Sequence, residues 1–183
     1  MRDAFAKQLY NLAKKDKDII FITGDLGFGV FDEFAKSFPN QYLNVGVAEQ
    51  NMTGIATGLG LEGKKVFTYS IANFVTLRCL EQIRNDAAYH EVNLTIVCSG
   101  GGFTYGPLGM SHHATEDIAI MRSIPNITVI SPADCLEVAK AIIAALNHHQ
   151  STYIRLTGSS NMPKVYSSDY NFIIGEPIEI IKG

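Results

Sequence analysis

Cysteine is scarce in this chain, positive charge is not in excess and no long apolar run occurs; each lack removes a class of function. Cys79, Cys98 and Cys135 are odd in number, widely separated and set among apolar residues. They read as reduced, buried thiols rather than a disulfide framework or a metal cluster. The net charge of -3 gives no basic footprint, and aromatic residues are not interleaved with Lys or Arg as a nucleic-acid groove requires. Nucleic acid is therefore excluded as an expected partner. No run of about 20 apolar residues is present to span a bilayer. The opening Met1-Arg2-Asp3-Ala4 lacks the apolar stretch of a signal peptide. The expectation is a cytoplasmic protein without a membrane partner. No internal repeat and no low-complexity tract is visible.

What is present is a chain of 183 residues, 46% of them hydrophobic, enough to bury about two thirds of the unfolded surface in one core. Strand-like and helix-like runs alternate. Strands are expected at Ile19–Thr23, Tyr42–Val45, Val66–Tyr69, Leu94–Cys98, Ile127–Ile130 and Tyr153–Leu156. Most are nearly continuous in apolar character, as strands covered on both faces are. Helices are expected at Arg2–Lys15, Phe31–Phe38, Glu49–Leu61, Phe74–Tyr89 and Thr115–Ile124. Another starts at Ser131-Pro132, read as an N-cap followed by proline at the first helical position. The predicted fold class is α/β, a mostly parallel sheet of about six strands with helices on both faces. Composition changes after Met162, so residues 1–162 are expected to form the domain. Residues 163–183 read as a linker or the start of a missing C-terminal domain, Ile178–Ile181 resembling the beginning of a strand.

In parallel α/β sheets ligands gather at the carboxyl ends of strands. Three glycine-rich segments fall there: Gly24–Gly29, the turn Gly46–Glu49, and Gly100–His113. Neither of the two longer loops carries Lys followed by Ser or Thr, and the first lacks the G-x-G-x-x-G order, so a phosphate cradle matches poorly. Adjacent His112 and His113 point different ways and make a poor metal pair; a polar contact or catalytic role for one is the better reading. Glu49 stands at the junction of a short strand and a helix. Behind it Met52, Ile55, Ala56 and Leu59 share a face, and Gly54 and Gly58 remove side chains where another backbone is expected to come close. Each glycine costs roughly 1 kcal/mol of helix propensity relative to alanine. An acid in a first helical turn also favours the helix dipole, so Glu49 alone does not separate chemistry from capping.

Four segments taken together resemble one family. They are Gly46–Met52, Glu81–Asn85, Ser111–Ala119 and Ile130–Asp134, and in order and spacing they are similar to the pyrimidine-binding domain of transketolases, from Arg2 to about Leu156. Deoxyxylulose-phosphate synthases and the β subunits of 2-oxo-acid dehydrogenases share this domain. The resemblance implies thiamine diphosphate as cofactor and transfer of a two-carbon ketol unit between sugars or related carbonyl compounds. It implies that Glu49 is catalytic, hydrogen-bonding the aminopyrimidine ring nitrogen so that the cofactor acts as its own base. Phe74 matches an aromatic that packs on the pyrimidine. Asp25 matches an acid near the cofactor, and Gln50 and Ile71 fall among the cofactor-binding positions; Ile71 stands where many relatives carry a second aromatic. His112 matches a substrate-contacting, catalytic histidine, with His113 beside it, and Arg2 matches an arginine at the phosphate end of the substrate.

The resemblance also implies what must come from elsewhere. Transketolases hold the diphosphate and a divalent metal, magnesium or calcium, through a Gly-Asp-Gly and a distant Asn on another domain, and Gly24-Asp25-Leu26 is not that motif. No metal ligand is therefore assigned in this chain. A diphosphate-binding partner subunit or domain is expected, in a homodimer or heterotetramer whose active site forms at the interface. In the substrate pocket Gly100, Leu108 and Gly158 stand where sugar-phosphate transketolases place a histidine, an aspartate and a phosphate-gripping arginine. Loss of the charge-assisted bond to phosphate points to an altered or unphosphorylated sugar acceptor. The rival readings are a β-subunit-like component of a 2-oxo-acid dehydrogenase and a non-catalytic scaffold or regulatory homologue.

Overall fold

The computed structural model describes residues 1–157, 162–166 and 168–181. All six strands pair in parallel in one sheet, in the order β2-β1-β3-β4-β6-β5. They are β1 (Ile19–Thr23), β2 (Tyr42–Asn44), β3 (Lys65–Ile71), β4 (Leu94–Ser99), β5 (Ile127–Ile130) and β6 (Ser151–Leu156). Each expected strand is found, with small differences at the ends.

Alternate strand residues face opposite layers, as the pleat requires. Phe21, Phe67, Tyr69, Val97 and Ile154 point to one side, where α1 (Arg2–Ala13), α2 (Asp32–Ser37) and α7 (Cys135–Leu146) cover them. Ile22, Val66, Leu94, Ile96 and Cys98 point to the other, under α3 (Glu49–Leu61), α4 (Ala72–Thr76) and α6 (Asp117–Ser123). Phe5 fixes the first layer: fully buried, it stacks on Tyr69 at 5.8 Å and meets Phe21 and Phe31 edge-on at 5.9 Å each. Burying such a ring contributes roughly 1.5–3 kcal/mol.

Three sequence expectations are corrected. The helix expected over Phe74–Tyr89 is broken into α4, a single turn α5 (Leu80–Gln82) and a widened π turn over Ile83–Ala88. Side chains compete for its carbonyls, the Thr76 hydroxyl donating to Ala72 O at 2.6 Å and the Cys79 thiol to Phe74 O at 3.2 Å. Such bonds bend helices. The last long helix starts after Asp134 rather than at Ser131-Pro132, because the Asp134 carboxylate accepts the Glu137 amide at 2.9 Å and serves as the N-cap. Cys135, expected to be buried, is exposed in the first turn of that helix, whereas Cys79 and Cys98 are buried. Ile178–Ile181 are not in a strand here, and Lys182 and Gly183, the rest of the run read as the beginning of one, lie outside the described residues.

Asp134 also fastens the following segment, its other oxygen accepting the amides of Val165 and Tyr166 at 2.9 and 3.2 Å. The Tyr166 hydroxyl donates to Glu137 at 3.1 Å. Burial pushes the Asp134 carboxyl up, but the amides of Glu137, Tyr166, Val165 and Leu136 outweigh it and hold the group below its usual 3.8. A carboxyl depressed on folding stabilises the fold above its unfolded pKa, and that contribution is lost as pH falls through the folded value. Residues 162–166 are therefore expected to become protease-sensitive as pH falls below 3.8. Asp134→Ala should do the same at neutral pH, with about 1–2 kcal/mol lost from the cap.

Candidate functional site

The site is built where the strand order reverses, with β1 between β2 and β3. β2 ends at Asn44, whose side chain ties two loops together. Its Oδ1 accepts the amides of Asp25 and Gly46, each at 3.0 Å, and its Nδ2 donates to Asp25 Oδ1 at 3.1 Å. Gly46 then turns the chain with φ +74°, a conformation few side chains adopt. Glu49 becomes the first residue of α3 and points inward.

Glu49 is 1% exposed. Its Oε1 accepts the Ser70 hydroxyl at 3.0 Å, from the end of β3, and its Oε2 accepts Arg78 Nη1 at 2.5 Å. The backbone of Gly24, leaving β1, closes the third side: a Cβ there would lie 3.2 Å from Glu49 Cγ and 3.3 Å from Oε1. A carboxylate so enclosed is not a solvated helix-dipole acid. The Arg78 guanidinium lies 4.3 Å from the centre of the Phe74 ring, and the His112 ring meets Phe74 edge-on at 5.1 Å. Through Arg78 an acid is joined to an aromatic ring, and an imidazole meets that same ring, at the carboxyl end of the sheet.

The glycine-rich segment after β4 supplies His112. It is closed by a bridge between Gly102 and Ala114, with amide-to-carbonyl distances of 2.8 and 3.0 Å. Beneath it Arg155 Nε donates to Asp117 Oδ2 at 2.7 Å, the Tyr153 hydroxyl donates to the same oxygen at 2.7 Å, and Arg155 Nη2 reaches Ala114 O at 3.3 Å. Burial, then the Cys98 and Asp117 neighbours, push the Tyr153 hydroxyl well above its usual pKa, so it stays a donor. The Cys98 thiol is pushed by burial to about 12 and that of Cys79 to about 11, which leaves neither a nucleophile at neutral pH.

Of the residues predicted from sequence, Glu49, Phe74 and His112 are brought together. Ile71 is buried at the end of β3, three residues before Phe74. His113 diverges from its neighbour as expected, its Nε2 on Gly106 O at 3.2 Å and its ring on Phe103 at 5.0 Å. Asp25 is exposed, with φ +54°, and is bonded to Asn44. Gln50 is exposed in the first turn of α3, and Arg2 is exposed at the start of α1, 4.0 Å from Asp3. Gly54 and Gly58 lie on an exposed face, with nothing within 4 Å of where a Cβ would stand at either, so among the described residues no backbone approaches them. Gly100 has φ +84°, and a Cβ there would overlap the Tyr105 ring. That ring, with its hydroxyl 3.2 Å from Ser99 Oγ, fills the space. Leu108 is exposed; Gly158 lies outside the described residues. Among the described residues no three of His, Cys, Asp and Glu gather as a metal-holding group, and no helix is long and apolar enough to cross a membrane.

Sequence reasoning did not single out Ser70, Arg78, Asn44, Asp117 or Arg155. Arg78 had a signal, since in the helix expected over Phe74–Tyr89 a residue four after Phe74 shares its face, although α4 ends at Thr76 and Arg78 stands in the turn that follows.

A family model described as the transketolase pyrimidine-binding domain matches residues 1–163. An apulose-4-phosphate transketolase subunit from Phocaeicola vulgatus is 36% identical over 184 residues, covering 100% of this chain and 59% of that protein. A putative transketolase C-terminal section from Methanocaldococcus jannaschii is 41% identical over 157 residues, covering 85% of this chain and 50% of that protein. A solved structure described as a split gene transketolase, inactive β4 tetramer, superposes with a TM-score of 0.89 at 36% identity, over 100% of this chain and 58% of its own. The chain thus spans between half and three fifths of the length of these relatives.

Proposed function

The chain belongs to the transketolase family through its pyrimidine-binding domain, and from that premise we propose that it is one part of a thiamine-diphosphate-dependent ketol transferase. It acts in the cytoplasm together with a diphosphate-binding subunit or domain, which holds the magnesium or calcium ion. Residues 1–162 are the pyrimidine-binding unit.

The observation that carries this reading is the enclosure of Glu49 beside Phe74, because it fits one edge and one face of a flat nitrogen heterocycle. When bound, thiamine diphosphate supplies the electron sink that two-carbon transfer between carbonyl compounds requires. The protein's part is to hold a buried carboxylate at the ring nitrogen, and Ser70 fixes that carboxylate by binding Oε1. Phe74 offers the ring a face. His112, with Nδ1 2.9 Å from Ser111 Oγ, meets the Phe74 ring edge to face, where it can bind a substrate hydroxyl.

A partner is supported by the loops around the site. Phe28, Val47, Phe103, Leu108 and Met110 are exposed on the segments leaving β1, β2 and β4, Met110 by 86%. Apolar side chains gathered at one end of a sheet mark an interaction surface. A homodimer or heterotetramer with the partner covers them. Turnover should appear when this chain is mixed with a chain carrying Gly-Asp-Gly and a distant Asn, in the presence of thiamine diphosphate and divalent metal. Turnover by this chain alone would contradict the reading. Tyr105 fills the space above Gly100 and Leu108 is apolar, so two acceptor contacts are altered, and the sequence has Gly158 where relatives grip phosphate with an arginine, which leaves Arg2 as the arginine at that end. Ribose and ribose 5-phosphate should be used at similar rates by the assembled enzyme, and a strong dependence on the phosphate would exclude an unphosphorylated acceptor.

A further inference from the structure

We propose that Arg78 sits, in the unloaded chain, where the cofactor's aminopyrimidine has to sit, and that it must release Glu49 before the ring can enter. The proposal rests on the reading of Glu49 given above.

Only one oxygen of Glu49 faces a ligand. Oε1 is turned toward Ser70 and the Gly24 backbone, where even a methyl group would come within 3.3 Å. Oε2 is the open one, and Arg78 holds it at 2.5 Å. The guanidinium is flat, presents an N–H to the carboxylate and lies over an aromatic ring at 4.3 Å, and being planar it can lie flat on the ring as the compact ammonium of lysine cannot. These are the contacts a flat heterocycle with a nitrogen at its edge would make with the same two residues. At 4.3 Å from the Phe74 centre the guanidinium leaves no room for a second ring between them. The side chain is 41% exposed, so it can swing into solvent. Arg78 also keeps a buried carboxylate paired while no ligand is present, which the fold needs.

A ligand that must displace a resident group binds with an affinity reduced by the fraction of chains in which that group has left. The test is calorimetric titration of the assembled enzyme with thiamine diphosphate. Arg78→Leu should bind about tenfold more tightly than the unmodified enzyme. Because that variant strips a buried carboxylate of its partner, Arg78→Lys is the second arm: it keeps the charge but loses the planar stack, and should tighten binding about threefold. Unchanged or weaker affinity, in whichever variant folds, overturns the proposal. Glu49→Gln made in the Arg78→Leu background, titrated alongside, separates two kinds of failure. Weaker binding there than in Arg78→Leu, with no gain from the Arg78 variants themselves, overturns only the displacement of Arg78, whereas binding equal to that of Arg78→Leu overturns the reading of Glu49 and this proposal with it.

Discussion

Glu49→Ala is expected to lower turnover of the assembled enzyme by about 10²–10³-fold while leaving the subunits assembled. The size follows from what the carboxylate does. It is a preorganised group in a site closed to water on three sides, by Ser70, by the Gly24 backbone and by α3 itself, and such a group needs no reorganisation at the moment of reaction. The structural cost of removing it is smaller. Arg78 is exposed enough to be solvated once its partner is gone, and the lost bond leaves the buried Ser70 hydroxyl unpaired, about 1–2 kcal/mol in all. Turnover measured at saturating cofactor, with assembly followed by sedimentation, separates the two effects. A chain that only scaffolds would lose neither.

Asp117→Ala is expected to destabilise the chain by about 3–5 kcal/mol, because it breaks a buried ion pair on one side only. The Arg155 side chain is 14% exposed and that of Asp117 1%, so the guanidinium left behind has little access to water. The Tyr153 hydroxyl, which shares Asp117 Oδ2, loses its acceptor in the same step. For a chain of this length the thermal midpoint should fall on the order of 10 °C. The effect should reach the site as well. Arg155 holds Ala114 O, and Ala114 closes the segment that carries His112, so turnover should fall more than the loss of folded protein explains. Asp117→Asn keeps an acceptor for Tyr153 and should cost less.

Most of the sheet was legible because its central strands are buried on both faces. Ile19–Thr23 and Leu94–Cys98 read as apolar runs with helices before and after them, and a parallel sheet follows from that alternation. The helix after β3 was not legible as broken, since Phe74–Tyr89 keeps helical spacing and the break comes from side chains bonding to its carbonyls. The start of α7 was misread for a similar reason: Ser131-Pro132 carries a start signal, but the carboxylate of Asp134 wins because it reaches the Glu137 amide. Glu49 and His112 were singled out as candidates by the resemblance of several segments taken together. What holds them was not. Ser70 lies 21 residues from Glu49 and Arg155 38 from Asp117, and no local pattern reports which distant donor meets a buried carboxylate.

The central claim is that Glu49 binds the ring nitrogen of thiamine diphosphate in the assembled enzyme. A crystal structure of that assembly with the cofactor bound tests it most directly. The account predicts a Glu49 carboxylate oxygen within about 2.6–3.2 Å of the aminopyrimidine nitrogen, with Phe74 against the ring. A cofactor bound elsewhere, with Glu49 still paired to Arg78, would contradict it.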